Sequence, residues 1–282
     1  MPISPTVCAT SPSRASAALA RSAHGVVELL FVAGTDYSTY LKINDLLTLQ
    51  APLTDDAPDE LLFIVVHQSY ELWFKVVIDE LRRASGALWA GEPWNAIGHL
   101  RRIVSIEDLL IQHLRVLETM SPEGFLAFRD PLDPASGFQS YQFRAIEFLS
   151  GGGKPAMLDF HLFDEDTRSW LRAASDAPSL WGGFEYSLRQ SSDPGGSRDI
   201  TELARDLYRE HRSPVTSAVH AVAELMMDHD ERLVMWRHQH VLMAGRQIGR
   251  RQGTGGSAGM AYLDTTIHQR LYPVLWEVRS VL

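Results

Sequence analysis

The sequence predicts an all-α fold, a helical bundle of long antiparallel helices. Three observations lead there. Apolar residues recur at helical spacings over long segments, strand-like alternation is scarce, and the periodic segments open on Pro, Asp or Ser and close on glycine.

The first long helix is expected from Pro58 or Asp59 to about Leu88, with Leu62, Val65, Val66, Leu72, Val76 and Leu81 at helical intervals. Proline in a first turn and Asp near a cap are good start signals, because the first N–H groups have no intrahelical partner. A second helix is expected from about Pro93 to Met120, and a third from roughly Ser140 to Leu149, stopped by Gly151-Gly152-Gly153. Shorter helices fill 160–210, with a turn-rich break at Ser191–Ser197. The longest helix should start near Ser213-Pro214 and run to about Ile248, roughly 50 Å at ~1.5 Å per residue. It stops at Gly249, ahead of a glycine-rich loop, and a final helix is expected over about Thr265 to Val281. The segments 120–140 and 249–264 read as long loops without structure of their own, a form that often carries function.

Bulk properties restrict the function classes. The chain has 282 residues, 45% hydrophobic and 22% charged, enough for a sizeable core. We read residues 1–22, rich in Ser, Ala, Pro and Thr, as a mobile tail and 23–282 as one helical domain. The net charge of −9 argues against a nucleic-acid partner, which needs a surplus of Lys and Arg on one face. The single cysteine, Cys8, rules out an internal disulfide and makes thiolate or c-type haem attachment a poor expectation. The apolar run Val26 to Ala33 is broken by Glu28, and no stretch reads as the ~18 apolar residues of a membrane span. These features suit the cytoplasm.

Eleven histidines invite metal chemistry. No two stand four apart, and no Glu has a His three residues later, so zinc-protease and di-iron helix motifs are missing. His238 and His240 point to different faces of one helix and cannot share an ion from that turn. The pattern favours at most one axial histidine, which suits a b-type haem because the porphyrin supplies the other four ligands. Read alone, either histidine is more often an ordinary surface or core residue. His67 lies four residues after Phe63 on an apolar helix, beside Tyr70, Glu71 and Phe74, a setting for a flat apolar substrate with one N–H or for a buried histidine bonded to a carbonyl. Arg129 has the fork that matches a carboxylate, though alone it also fits a surface ion pair. Ser136 alone fits a cap. Gly253, Gly255 and Ala258 satisfy a relaxed G-x-G-x-x-A pattern, but no strand precedes them, which excludes a dinucleotide site. Gly151-Gly152-Gly153-Lys154 runs into Pro155 and is no phosphate loop. The glycine-rich loop remains either a linker or a flap that offers backbone N–H groups and the Thr254 hydroxyl.

Taken together, several segments resemble tryptophan 2,3-dioxygenase. They are Leu62-Phe63-Ile64, His67-Gln68-x-Tyr70-Glu71-Leu72-Trp73, Phe128-Arg129-Asp130, Ser136-Gly137-Phe138-Gln139-Ser140, Trp236-Arg237-x-x-His240 and Gly253-Thr254-Gly255-Gly256-Ser257. They occur in that family's order and at similar separations, from roughly Tyr37 to the C-terminus.

The resemblance implies a helical homotetramer that binds haem b and consumes O2 in tryptophan catabolism through kynurenine. His240 would be the axial ligand of the haem iron, with Trp236, Ser136 and Gly255 beside the cofactor. His67, the expected catalytic residue, would accept a hydrogen bond from the indole N–H. Phe63 and Phe125 would pack on the indole, Arg129 would pair with the carboxylate, and Thr254 would hold the ammonium. Ser136 would also approach the substrate, and Leu132 would line its cavity. Tyr37, Tyr40 and Leu41 match a segment that reaches into a neighbouring subunit's pocket. The expected reaction is C2–C3 cleavage to N-formylkynurenine. Two alternatives stand beside it: single-oxygen insertion giving an oxindole-type product, and a haem-binding sensor without turnover. The chain departs from the family pattern around 190–215, which is shorter, and at Gly245, five residues after His240, where a larger residue is usual.

Overall fold

A computed structural model describes residues 36–210, 213–255 and 259–282. The expected tail at 1–22, Cys8 and the Gly256-Ser257-Ala258 part of the glycine-rich loop lie outside the described residues. The chain divides into two compact units, 1–49 and 50–282.

In the first unit, α1 covers Tyr37–Leu41 and α2 covers Ile43–Leu46. Asp36 caps α1 by accepting the Thr39 N–H at 2.8 Å. Lys42 breaks the path between the two helices with a left-handed φ of 54°. Tyr37 and Tyr40 are 74% and 75% exposed.

The second unit contains α3 (Glu60–Trp89), α4 (Pro93–Leu117), α5 (Pro122–Arg129), α6 (Tyr141–Ser150), α7 (Glu165–Asp176), α8 (Leu180–Ser192), α9 (Ile200–Arg209), α10 (Pro214–Ile248), α11 (Met260–Asp264) and α12 (Pro273–Val278). No strand occurs among the described residues. Cross-helix bonds give the directions. His99 and Arg102 of α4 bond Glu80 of α3, while Tyr70, further back on α3, bonds Leu110, further along α4, so these two helices run antiparallel. α10 meets α4 in the same sense, with Glu107 against His229 and Glu118 against Gln239, so α4 and α10 run parallel and need the long connection between them.

The three long helices enclose the core. Leu81, Leu88, Leu100, Ile103, Leu114, Phe128, Phe184, Val219 and Val222 are fully or almost fully buried. Each such side chain stabilises the fold by about 1.5–3 kcal/mol relative to exposure.

Three expectations need correction. The final helix is not continuous from Thr265 to Val281: only α12 forms there, and the short α11 lies before it, in the stretch read as a loop. Asp230 of α10 is buried and accepts the N–H groups of Leu271 and Tyr272 and the indole N–H of Trp276, so those amides serve a carboxylate instead of a helical carbonyl. Tyr272 also precedes Pro273, which disfavours helical backbone there. The 120–140 segment is not structureless, because Ser121 caps α5 through the Gly124 N–H and short 3-10 turns cover Asp130–Leu132 and Gly137–Gln139. Finally, α3 is long and apolar enough to cross a membrane by length and composition. It packs against α4, α6 and α8 and buries Glu80, which marks it as a core helix.

Candidate active site

The sequence spacing on α3 sets the first wall. Phe63 and His67 are one turn apart, and their rings lie 4.0 Å centroid to centroid. The α5 turn brings Phe125 to 5.8 Å and Phe128 to 5.3 Å from the Phe63 ring. Phe128 is fully buried and anchors α5, while Phe63 and Phe125 keep part of their surface open. The result is an aromatic slot with an imidazole at its edge.

His67 is oriented by its own helix. Its Nδ1 lies 2.7 Å from the Phe63 carbonyl oxygen. A carbonyl only accepts, so Nδ1 carries a hydrogen. Desolvation holds the His67 pKa below its ordinary value, against the Phe63 carbonyl and the Glu71 carboxylate, which favour the cation. In the neutral ring Nε2 is therefore the acceptor. The ring is exposed in the single chain even though the protein around it disfavours its charge.

α10 supplies the second wall. Trp236 and His240 stand one turn apart with ring planes 15° apart and centroids at 5.1 Å. Burial holds His240 down to about 4, and the nearby His67 pushes the same way. Among the described residues no hydrogen bond occupies either ring nitrogen of His240, leaving a neutral imidazole with a lone pair to offer. No group of three His, Cys, Asp or Glu side chains converges among the described residues, so a bare metal ion would find too few ligands there. A single free imidazole fits a macrocycle that brings four donors of its own.

The third wall joins two loops distant in sequence. Arg129, at the end of α5 with its side chain 19% exposed, donates from Nη2 to the Gln252 carbonyl at 2.5 Å. Thr254 donates its hydroxyl to the Ala135 carbonyl at 2.6 Å. A Cβ on Gly255 would fall 2.5 Å from the Ser136 Cβ, so only glycine permits this approach. Ser136 itself caps the 3-10 turn at Gly137–Gln139 in a capping box with Gln139.

The structure thus brings Phe63, His67 and Phe125 together, places His240 near His67 with Trp236 stacked on it, and ties Arg129, Ser136, Thr254 and Gly255 into one loop assembly. Leu132 ends the adjoining 3-10 turn and packs against the core. Tyr37, Tyr40 and Leu41 belong to the first unit. His238, two residues before His240, is exposed and points to a different face of α10. Sequence reading gave no role to Tyr70, whose hydroxyl accepts the Trp236 indole N–H at 3.2 Å. It gave none to the carbonyls of Gln252 and Ala135 either; backbone acceptors have no residue signature. Gly245 makes room for Met260, whose sulfur would lie 2.9 Å from an added Cβ.

Comparison with known proteins shows the family. The sequence profile of the tryptophan 2,3-dioxygenase family matches residues 21–179 and 200–282. Similar curated proteins include the tryptophan 2,3-dioxygenase of Nocardioides sp., 42% identical over 258 residues, covering 87% of this chain and 94% of the relative. The tryptophan 2,3-dioxygenase of Anaeromyxobacter dehalogenans is 40% identical, covering 89% of this chain and 97% of its own. That of Bacillus anthracis is 34% identical, covering 89% and 94%.

Proposed function

This chain belongs to the tryptophan 2,3-dioxygenase family, and from that membership we propose that it cleaves the indole C2–C3 bond of L-tryptophan with both atoms of O2, giving N-formylkynurenine. The names of its curated relatives support insertion of two oxygen atoms, and nothing in the site favours the single-oxygen or sensor alternatives.

The observation that carries the reading is the bond from His67 Nδ1 to the Phe63 carbonyl. It leaves Nε2 as an acceptor beside an aromatic slot, which is what an indole N–H requires. Phe63 and Phe125 hold the flat ring, and each good aromatic contact contributes about 0.5–1.5 kcal/mol beyond area burial. Arg129 takes the substrate carboxylate with a guanidinium already braced by Gln252, so less side-chain entropy is lost on binding. Thr254 orients the ammonium group, Ser136 borders the same space, and Leu132 closes its outer side.

The family is haem-dependent, and in this reading His240 would hold the haem iron, with Trp236, Ser136 and Gly255 contributing to the cofactor site. When bound, haem b supplies the ferrous iron that activates O2. The protein's own contribution is to fix the substrate at both ends and exclude water, so that reaction follows from position. His67 is neutral and need not remove a proton. We further propose a cytoplasmic homotetramer in which Tyr37, Tyr40 and Leu41 of one subunit close the pocket of another; the exposure of both tyrosines supports this.

The test is anaerobic ferrous holoprotein mixed with L-tryptophan and isotopically labelled O2, with products read by mass spectrometry. A product carrying two labelled oxygens is expected; one carrying a single labelled oxygen would overturn the assignment.

A further inference from the structure

The Tyr70 side chain is 6% exposed and lies at the junction of the three long helices. It belongs to α3, its hydroxyl donates to the Leu110 carbonyl of α4 at 2.5 Å, and it accepts the Trp236 indole N–H of α10 at 3.2 Å. Its single hydrogen is committed to Leu110, so toward Trp236 it can only accept. Phe74 and His113 flank the phenol at 5.8 Å each and fix its ring. Burial raises the phenol pKa, which keeps the donor hydrogen in place.

Trp236 is held at two points. Its N–H is tied to Tyr70, and Phe143 lies 5.3 Å from its ring. Its plane is nearly parallel to His240, one turn along α10. A histidine that binds a metal usually donates its second ring N–H to a carboxylate or carbonyl, which fixes its orientation. His240 has no such partner among the described residues, and the ring beside it is Trp236.

We propose that Tyr70 is a positioning residue for the haem ligand: its hydroxyl locks the Trp236 indole, and the locked indole sets the plane of the His240 imidazole. This rests on the reading of His240 as the axial ligand. Stacking here does the work usually done by a hydrogen bond to the ligand, and the phenol is its remote anchor. Phenylalanine at position 70 would keep the packing and lose the lock. The Leu110 carbonyl keeps its helical partner, but the Trp236 N–H is left without an acceptor.

The experiment uses haem-loaded full-length protein. The iron–imidazole stretching band of the ferrous form and the rate of haem transfer to an excess of apomyoglobin are measured for the parent, Tyr70→Phe, Trp236→Phe and the double variant. Tyr70→Phe is expected to shift or broaden the band and to speed haem loss roughly tenfold. Trp236→Phe removes both the N–H and the indole stacked on His240 and should do at least as much, and adding Tyr70→Phe to it should change nothing further. A lowered Tm with an unchanged band and transfer rate would make Tyr70 merely structural and overturn the proposal. A full further change in the Trp236→Phe background would show that Tyr70 acts by another route and overturn it as well. His240→Ala is the control: if it keeps the band, the ligand assignment and this proposal fail together. If it loses the band while Tyr70→Phe matches the parent, only this proposal fails.

Discussion

The Cβ that Gly255 lacks would stand 2.5 Å from the Cβ of Ser136 and 2.8 Å from its hydroxyl oxygen. The Ser136 Cβ moves only with its backbone, and the capping box with Gln139 holds the hydroxyl. Gly255→Ala must therefore push the 253–255 segment away and stretch the Thr254 bond to Ala135. Overpacking of this kind costs about 1–3 kcal/mol. If Thr254 orients the substrate ammonium, KM for tryptophan should rise roughly tenfold in the haem-loaded fraction. Steady-state kinetics alongside haem quantitation check this, and an unaltered KM would remove Thr254 from the substrate site.

Arg129 should be far more sensitive than an ordinary surface arginine. Its guanidinium is braced by the Gln252 carbonyl, and its other visible partner, the Asp130 carboxylate, is distant at 3.4 Å. Losing a hydrogen-bonded charge pair costs about 2–5 kcal/mol. Arg129→Ala should thus raise KM for tryptophan by about two orders of magnitude and leave the affinity for indole, which has no carboxylate, little changed. An equal effect on both compounds contradicts the clamp.

How far the sequence reveals this molecule depends on the range of the interaction. The boundaries of α3, α4, α6 and α10 follow local periodicity and caps, and each lies within a few residues of expectation. The C-terminal stretch does not follow its local pattern because Asp230, 41 residues before Leu271, takes the amides of Leu271 and Tyr272. The α5 helix was hidden by a short apolar pattern within a loop-like composition. At the site, Phe63 with His67 and Trp236 with His240 are legible as one-turn pairs. The tie between Arg129 and Gln252 crosses more than a hundred residues and ends on a carbonyl, so no local pattern announces it. Gly245 was read as a departure; the approach of Met260 explains it only in three dimensions.

A buried polar chain makes stability depend on pH. Glu107 Oε1 lies 2.7 Å from His229 Nδ1, and His229 Nε2 lies 3.0 Å from the Ser150 hydroxyl, which in turn donates to the Ile146 carbonyl. Burial raises the Glu107 pKa above its ordinary 4.5, only partly opposed by His229. The folded protein then keeps a proton that the unfolded chain has already released. Between pH 4.5 and the folded pKa the unfolded state binds fewer protons, so stability falls as pH rises across that window. Glu107→Gln supplies an amide N–H to His229 and cannot titrate. Its Tm relative to the parent should therefore climb as pH rises from 4.5, and thermal melts across pH that show a constant difference would contradict the raised pKa.

His67 provides the most selective test of the chemistry. With Nδ1 committed to the Phe63 carbonyl, only Nε2 can meet the substrate, and it meets it as an acceptor. A neutral hydrogen bond is worth about 0.5–1.5 kcal/mol net. His67→Ala should thus lower kcat/KM for tryptophan by roughly threefold to tenfold, leaving haem bound. With 1-methyl-tryptophan there is no N–H to accept, so the same substitution should carry no penalty. Single-turnover measurements on both substrates separate the two cases, and a loss of equal size with the methylated substrate would assign His67 to packing against Phe63.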